Sequence, residues 1–222
     1  MANNNPDRKP ATLKLSSDKL QAMATRERAA LVNSLSGFKS ANLVGTASQE
    51  GHCNLAIMSS AVHLGSDPAL LGLVIRPGGD ERHTLANILA SECYSLNHVN
   101  ADIVAQAHQT AARYSRDTSE FEATGLTPQW WPEFPAPLVA EAQIKMAMRL
   151  REHHPLEING THFLIGEIVA VELPEASMGA DGSVDLARAG SVALSGLDRY
   201  HRVRLHKRMA YAKPDLPPRE LG

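Results

Sequence analysis

Apolar side chains recur at helical spacing near the start of the chain, in SSDKLQAMATRERAALVNSLSG, at Leu20, Met23, Leu31 and Leu35. Ser and Asp residues supply N-caps and Gly37 a stop, so the pattern predicts one helix here. From Phe38 the spacing changes. FKSANLVGTAS, HCNLAIMSSAVHLG and ALLGLVIR are short strand-like runs, separated by the turn signals QEG and SDP. RPGGDERH follows as a Gly-rich loop, TLANILASE as a short helix capped by Thr84, CYSLNHV as a strand, and ADIVAQAHQTAARY as a further helix.

The prolines of TSEFEATGLTPQWWPEFPAP forbid a long regular element. Trp130, Trp131 and Phe134 make it an ordered excursion that packs on the barrel or on a partner subunit, rather than a linker. QIKMAMRLREH alternates with period two at Ile144, Met146, Met148 and Leu150. Its composition also suits a helix, but the alternation selects a strand. Asn159-Gly160 predicts a two-residue type I′ turn into HFLIGEIVAVEL. A loop, a short helical piece and one more strand or loop close the domain. Strands that do not alternate with helices argue against a doubly wound sheet. The expected fold is mainly β with helical additions (α+β), an antiparallel barrel over residues 16–222 as a single domain behind a disordered segment, 1–15.

Composition narrows the function classes. Net charge is −2 at pH 7, from 22 basic and 24 acidic residues, so no basic footprint marks a nucleic-acid binder. No apolar run approaches the roughly 20 residues that cross a bilayer, and the polar N-terminus has no signal-peptide core. Two cysteines, Cys53 and Cys93, offer neither a disulfide framework nor metal spacing. These features predict a cytoplasmic protein without a membrane or nucleic-acid partner.

Two stretches carry chemistry. In GTASQEGHCNLAIMSS, Asn54, Ser59 and Ser60 are polar where a core strand would carry hydrocarbon, so this is either a wet sheet edge or a face for a polar, flat ligand. Downstream, Arg76 leads through Gly78 and Gly79 to Arg82-His83-Thr84, where a helix begins. Free backbone N–H groups, a helix dipole, a hydroxyl and two guanidiniums suit a phosphate. The same pattern equally fits an ordinary capped helix with solvated arginines. No GK[ST] and no G-x-G-x-x-G is present.

In order, these stretches resemble the flavin reductase-like proteins with an FMN-binding split barrel. A small-residue strand, a turn, an N-x-A-x-x-S strand, a DP turn, another strand and a basic-x-Thr helix start follow one another. DTSEFEATGLTP, HFLIGEIVAVEL and SGLDRYHRV also resemble segments of that family, so the likeness runs from Arg28 to Pro214. It implies a six-stranded split β-barrel, flavoredoxin-related, that assembles as a homodimer with FMN at the interface. Asn54, Ala56 and Met58-Ser59-Ser60 would then face the flavin ring, and Arg82 and Thr84 the phosphate, with Arg76 as a second cation. His83 stands where the family often has an acidic residue. Tyr200 and His201 would lie on the substrate side, where the family commonly has a Gly-Gly-Tyr-like segment that this sequence lacks. The implied activity is an NAD(P)H-dependent flavin oxidoreductase, using NADH or NADPH and delivering electrons to free flavin or a redox partner protein. A flavoredoxin-type electron carrier without NAD(P)H turnover is the alternative, and a split barrel that has lost its ligand a third reading.

Other chemistries find little support. Ten histidines occur, but none sits in H-E-x-x-H spacing. Ser59-Ser60 and LSGLD lack the glycines of a nucleophile elbow. No catalytic acid–base pair stands out, and a flavin enzyme needs none from its polypeptide.

Overall fold

The computed structural model describes residues 12–78, 83–115 and 117–221. Most of the segment expected to be disordered therefore lies outside the described residues, as does Arg82. Helices α1 (Ser17–Ala22) and α2 (Thr25–Leu35) precede strands β1 (Lys39–Ser40), β2 (Asn42–Ala47), β3 (Cys53–Met58), β4 (Ala61–Ser66) and β5 (Ala69–Ile75). Helix α3 (His83–Ser91), β6 (Cys93–His98), α4 (Val104–Gln109) and α5 (Glu120–Thr124) follow. Short strands β7 (Pro128–Gln129) and β8 (Leu138–Val139) lead to a long hairpin, β9 (Lys145–Leu156) and β10 (Thr161–Glu172). The chain ends in β11 (Val192–Ser195), β12 (Arg199–Arg202), β13 (Arg208–Met209) and β14 (Glu220–Leu221). No described helix is long and apolar enough to cross a membrane.

The main sheet is antiparallel, in the order β3-β2-β6-β9-β10-β5-β4. Its two outermost strands, β3 and β4, are joined by only Ser59 and Ser60. Three peptide steps reach at most about 11 Å, so the sheet curls until its edges stand close together. Bulges in β4 and along the β9–β10 ladder supply the extra twist that such curvature needs. The sheet therefore has seven strands where six were expected, because HCNLAIMSSAVHLG breaks at the two serines. Ser60 is pinned to β5, its hydroxyl donating to the Val74 carbonyl at 2.6 Å and its carbonyl accepting the Val74 N–H.

Two apolar clusters explain why β2 is buried along its whole length. Inside the curl, Val44, Leu73, Tyr94, Leu96, Met148 and Leu164 pack together, and Ile88 of α3 plugs them. Gly166 makes room for Tyr94: a Cβ there would lie 2.1 Å from the phenol oxygen. On the other side, Leu43, Leu55, Phe121 and Val139 pack with Val192 and Leu194 of the small sheet β1-β11-β12.

The strand reading of 143–153 is borne out by β9. Elsewhere the structure differs from expectation for local reasons. The first helix breaks at Met23, which is extended, and the Arg28 guanidinium takes the carbonyls of Gln21 and Met23. Neither piece has a buried residue to hold one straight helix. The β9–β10 loop is Glu157–Gly160, and only Gly160 has a positive φ, whereas a type I′ turn needs two. Asn159 instead accepts the Thr161 N–H through its side chain. Helix α4 stops at Gln109, short of the predicted run to Tyr114. In the excursion it is Phe121 that is fully buried, whereas Trp130 stays exposed. The short helical piece expected in the closing stretch is a turn, followed by the β11–β12 hairpin.

Lys145 is buried beneath the excursion, its Nζ 2.6 Å from both Glu172 and Gln129. Desolvation offsets most of the attraction in such a pair. Lys145→Met is therefore expected to change stability in urea by less than about 1 kcal/mol. Glu172→Ala, which leaves the ammonium without its counter-charge, should cost about 1–2 kcal/mol, because the Glu172 end of the pair is wet. Equal losses would contradict this account.

Candidate functional site

β3 is the axis of the site. Its alternation sends Cys53, Leu55 and Ile57 toward the outer cluster and leaves Asn54, Ala56 and Met58 on the opposite face, with Met58 packed on the inner cluster. Asn54 sits opposite Thr46 of β2, and both are buried. Its Nδ2 donates to Thr46 Oγ1 at 3.2 Å and to Thr84 Oγ1 at 3.0 Å, and Asn87 Nδ2 donates to Thr46 Oγ1 at 3.1 Å. Four buried polar side chains thus clamp the first turn of α3 onto β2 and β3. The amphipathic pattern of α3 brings them there, since burying Ile88 turns Thr84 and Asn87 toward the same sheet.

The free edge of β3 is closed by side chains rather than by a neighbouring strand. Leu55 N–H donates to Glu120 Oε2 and Ile57 N–H to Thr110 Oγ1, each at 2.9 Å. Burial pushes the Glu120 carboxyl up, against the Leu55 and Glu120 N–H groups and the nearby His83, which hold it down. Edge N–H groups of β3 are therefore occupied at these two positions.

The predicted site residues divide into two groups. Asn54, His83 and Thr84 meet at the start of α3, which begins one residue earlier than expected. The Thr84 hydroxyl is engaged with Asn54 rather than with a backbone cap. His83 is half-buried, and its Nε2 is fully buried without a hydrogen-bond partner. Ala56, Met58, Ser59 and Ser60 continue half-buried along the strand and its exit, and Arg76 is exposed just past β5. Asn54 thus belongs with the helix start rather than with the Ser59–Ser60 end.

Tyr200 and His201 stand apart, on β12 of the small sheet. Tyr200 packs on the outer cluster and its hydroxyl lies 3.0 Å from His108 Nδ1. Burial, and then Asp198, raise its phenol above the usual range. His201 lies 2.8 Å from Ser195 Oγ, with Phe38 edge-on to its ring. Within one chain these two residues are not brought to the Asn54 face. Cys53 faces a cleft of about 300 Å³ beside Ser119 and Glu122; burial and then Glu122 keep its thiol protonated.

Thr46, Asn87, Glu120 and Thr110 were missed. Thr46 had a signal, a polar residue inside an apolar strand, whereas Glu120 and Thr110 had none, because their partners lie 65 and 53 residues away.

Comparison with known proteins places this geometry. The sequence profile of the flavin reductase like domain matches residues 35–187. A candidate flavin reductase with a split barrel domain from Shewanella frigidimarina NCIMB 400 is 49% identical and superposes with a TM-score of 0.88, over 90% of this chain and 100% of that one. Nitrilotriacetate monooxygenase component B from Bacillus cereus shares the fold at 21% identity, with a TM-score of 0.78 over 89% of this chain and 98% of its own. Flavoredoxin of Desulfovibrio vulgaris (Miyazaki F) does so at 23% identity, with a TM-score of 0.65 over 81% and 92%.

Proposed function

Since the chain belongs to the flavin reductase-like family of split-barrel flavoproteins, we propose that it binds FMN along β3 and uses it as an NAD(P)H-dependent oxidoreductase. The observation that carries this reading is the layout of β3. One end is clamped to the first turn of a helix, and the other opens at Ser59–Ser60, about 20 Å away at strand rise. An elongated ligand with an anionic end and a flat polar end fits that span.

The phosphate end would be met by the free N–H groups of α3, with Thr84 and His83, and with Arg76 and Arg82 as cations. Ala56, Met58, Ser59 and Ser60 would lie against the ring, where small side chains and hydroxyls allow close approach. The orphaned Nε2 of His83 fits a site whose polar partner is supplied by a ligand. Hydride and single-electron chemistry is supplied by the flavin when bound; the polypeptide binds, orients and tunes it.

A homodimer is part of the proposal. The helices pack mainly on β2, β3 and β6. The outer face of β4, β5 and β10 is left with Val62, Val74, Phe163 and Val169, of which Val62 and Val169 are strongly exposed. An apolar sheet face of this kind suits a second copy. Tyr200 and His201 would then approach a flavin held mainly by the other subunit.

Purified protein is expected to show a bound-flavin absorption spectrum, or to quench added FMN saturably. Anaerobic NADH or NADPH should bleach the bound flavin. Saturable FMN binding without bleaching would instead make the protein a flavoredoxin-type carrier. Absence of both bound and bindable flavin would end the flavin reading.

A further inference from the structure

Between β10 and β11 the chain makes a tight, hydrogen-bonded loop. Met178 bridges to Val184, the Asp185 N–H donates to the Ser177 carbonyl, and the Gly179 N–H donates to the Ser183 carbonyl. Ser177 is 1% exposed within this loop, and its hydroxyl is buried without a hydrogen-bond partner. A buried polar atom left unpaired costs free energy, and native structures keep few of them without a use.

The segment that follows β12 lies alongside this loop, and the two enclose a cleft of about 540 Å³ with Ser177 in its wall. Met178, Leu186, Val203 and Leu205 line the cleft and stay strongly exposed, which leaves an apolar surface for the body of a small molecule. Three arginines stand at the same cleft. Arg188 Nη1 donates to the Ala176 carbonyl at 3.0 Å, which brings a guanidinium beside Ser177, and Asp185 Oδ1 accepts the Arg188 N–H. Arg208 pairs with Asp181, whose carboxyl is held far below its ordinary range by the Ser183 hydroxyl and N–H and then by Arg208. Arg204 meets no carboxylate among the described residues, so its charge is free for a ligand. The wider segment is cationic as well. Arg199 to Lys213 holds six lysines and arginines and no acidic residue, in a chain whose net charge is −2. Apolar walls, a free guanidinium and an unsatisfied hydroxyl together suit a phosphorylated nucleoside.

The place of the cleft along the chain narrows that class. Arg204 is three residues past His201, and three peptide steps reach at most about 11 Å. A nicotinamide dinucleotide whose reducing ring enters beside Tyr200 and His201 can therefore carry its adenosine end into the cleft. We propose that this cleft holds the phosphorylated adenosine ribose of NADPH, with Arg204 as its principal cation, and so selects NADPH over NADH. The proposal rests on the FMN reading above and names its reductant. The two nucleotides differ only by this phosphate, so the choice between them falls to the groups that pair with it.

The test is isothermal titration calorimetry of the full chain loaded with oxidised FMN, using NADP⁺ and NAD⁺, neither of which reduces the flavin. Wild type should bind NADP⁺ about tenfold or more tighter than NAD⁺. Arg204→Ala should remove about tenfold of the NADP⁺ affinity and leave NAD⁺ within about twofold. Arg204 is exposed and unpaired, so the variant keeps its fold. Arg199→Ala deletes a cation of the same segment that does not line the cleft, and it should change neither affinity. Ser177→Ala should weaken NADP⁺ binding about threefold without lowering the melting temperature, because the hydroxyl satisfies nothing in the protein. Equal wild-type affinities, an Arg204→Ala loss shared by both nucleotides, the same loss in Arg199→Ala, or unchanged NADP⁺ binding in Ser177→Ala would each overturn the proposal. A chain that binds FMN but neither nucleotide would overturn it too, and would leave the flavin reading standing. A chain that prefers NADP⁺ yet takes up no flavin would keep the cleft and end the flavin reading.

Discussion

Gly45→Ala is expected to destabilise the domain by about 3 kcal/mol or more, at the top of the range for overpacking. Gly45 lies in the middle of β2, where the excursion crosses it. A Cβ at this position would stand 2.1 Å from the Pro137 carbonyl oxygen and 2.5 Å from Ser95 Oγ. Neither atom is free to yield. Ser95 Oγ donates to that same Pro137 oxygen at 2.6 Å, and Ser95 also receives Asn97 Nδ2 at 2.8 Å. Asn97 in turn accepts the Val139 N–H. The methyl group would have to lift the segment entering β8 off the sheet or break this chain of buried hydrogen bonds. The melting temperature should fall by roughly 6–12 °C for a domain of this size. Gly51→Ala is the control: its φ is +86°, but a Cβ there meets nothing within 4 Å, so strain of about 1 kcal/mol is all that is expected. Similar melting temperatures for the two variants would refute this close-approach argument.

Asn54→Ala should have the second-largest effect, and it should fall on two properties at once. The amide uses both of its hydrogens, on Thr46 and on Thr84, in surroundings without solvent. Removing it leaves two buried hydroxyls short of a donor and should cost about 2 kcal/mol of stability. It also frees the first turn of α3 from β3, so FMN affinity should drop roughly tenfold or more, because the phosphate contacts proposed for that turn depend on its register. Asn87→Ala separates the two effects. It removes a hydrogen bond from the same Thr46 hydroxyl, but one turn further into the helix. It should lower stability while leaving FMN affinity within about threefold. Equal losses of affinity in the two variants would show that the network acts on stability alone.

Much of the architecture was legible in the chain because its causes are local. Period-two alternation in 144–150 decided a strand against helical propensity, and that decision rests on side chains one or two residues apart. The turn signals QEG and SDP fall where β2 gives way to β3 and β4 to β5, for the same reason. The Asn159-Gly160 pair was over-read. A Gly with positive φ was present, but the Asn side chain found a better use in capping Thr161 than in entering a left-handed turn. The single N-terminal helix failed because no buried face exists to keep its two halves collinear.

The sequence by itself determined that this is a mainly β chain with small helices, that polar residues interrupt one strand, and that a helix with Thr84 in its first turn follows β5. Each of these follows from periodicity or from the chemistry of near neighbours. Only the tertiary structure decided what the polar residues of GTASQEGHCNLAIMSS are for. Asn54 is a clamp between strand and helix, while Ser59 and Ser60 are the short link where the two edges of the sheet approach. Glu120 and Thr110 entered the site in the same way, by reaching backbone N–H groups far away in sequence. The physical reason is that hydrogen bonds at a sheet edge are satisfied by whatever folding brings alongside. A periodicity records which way a side chain points, but not which partner will be there to meet it.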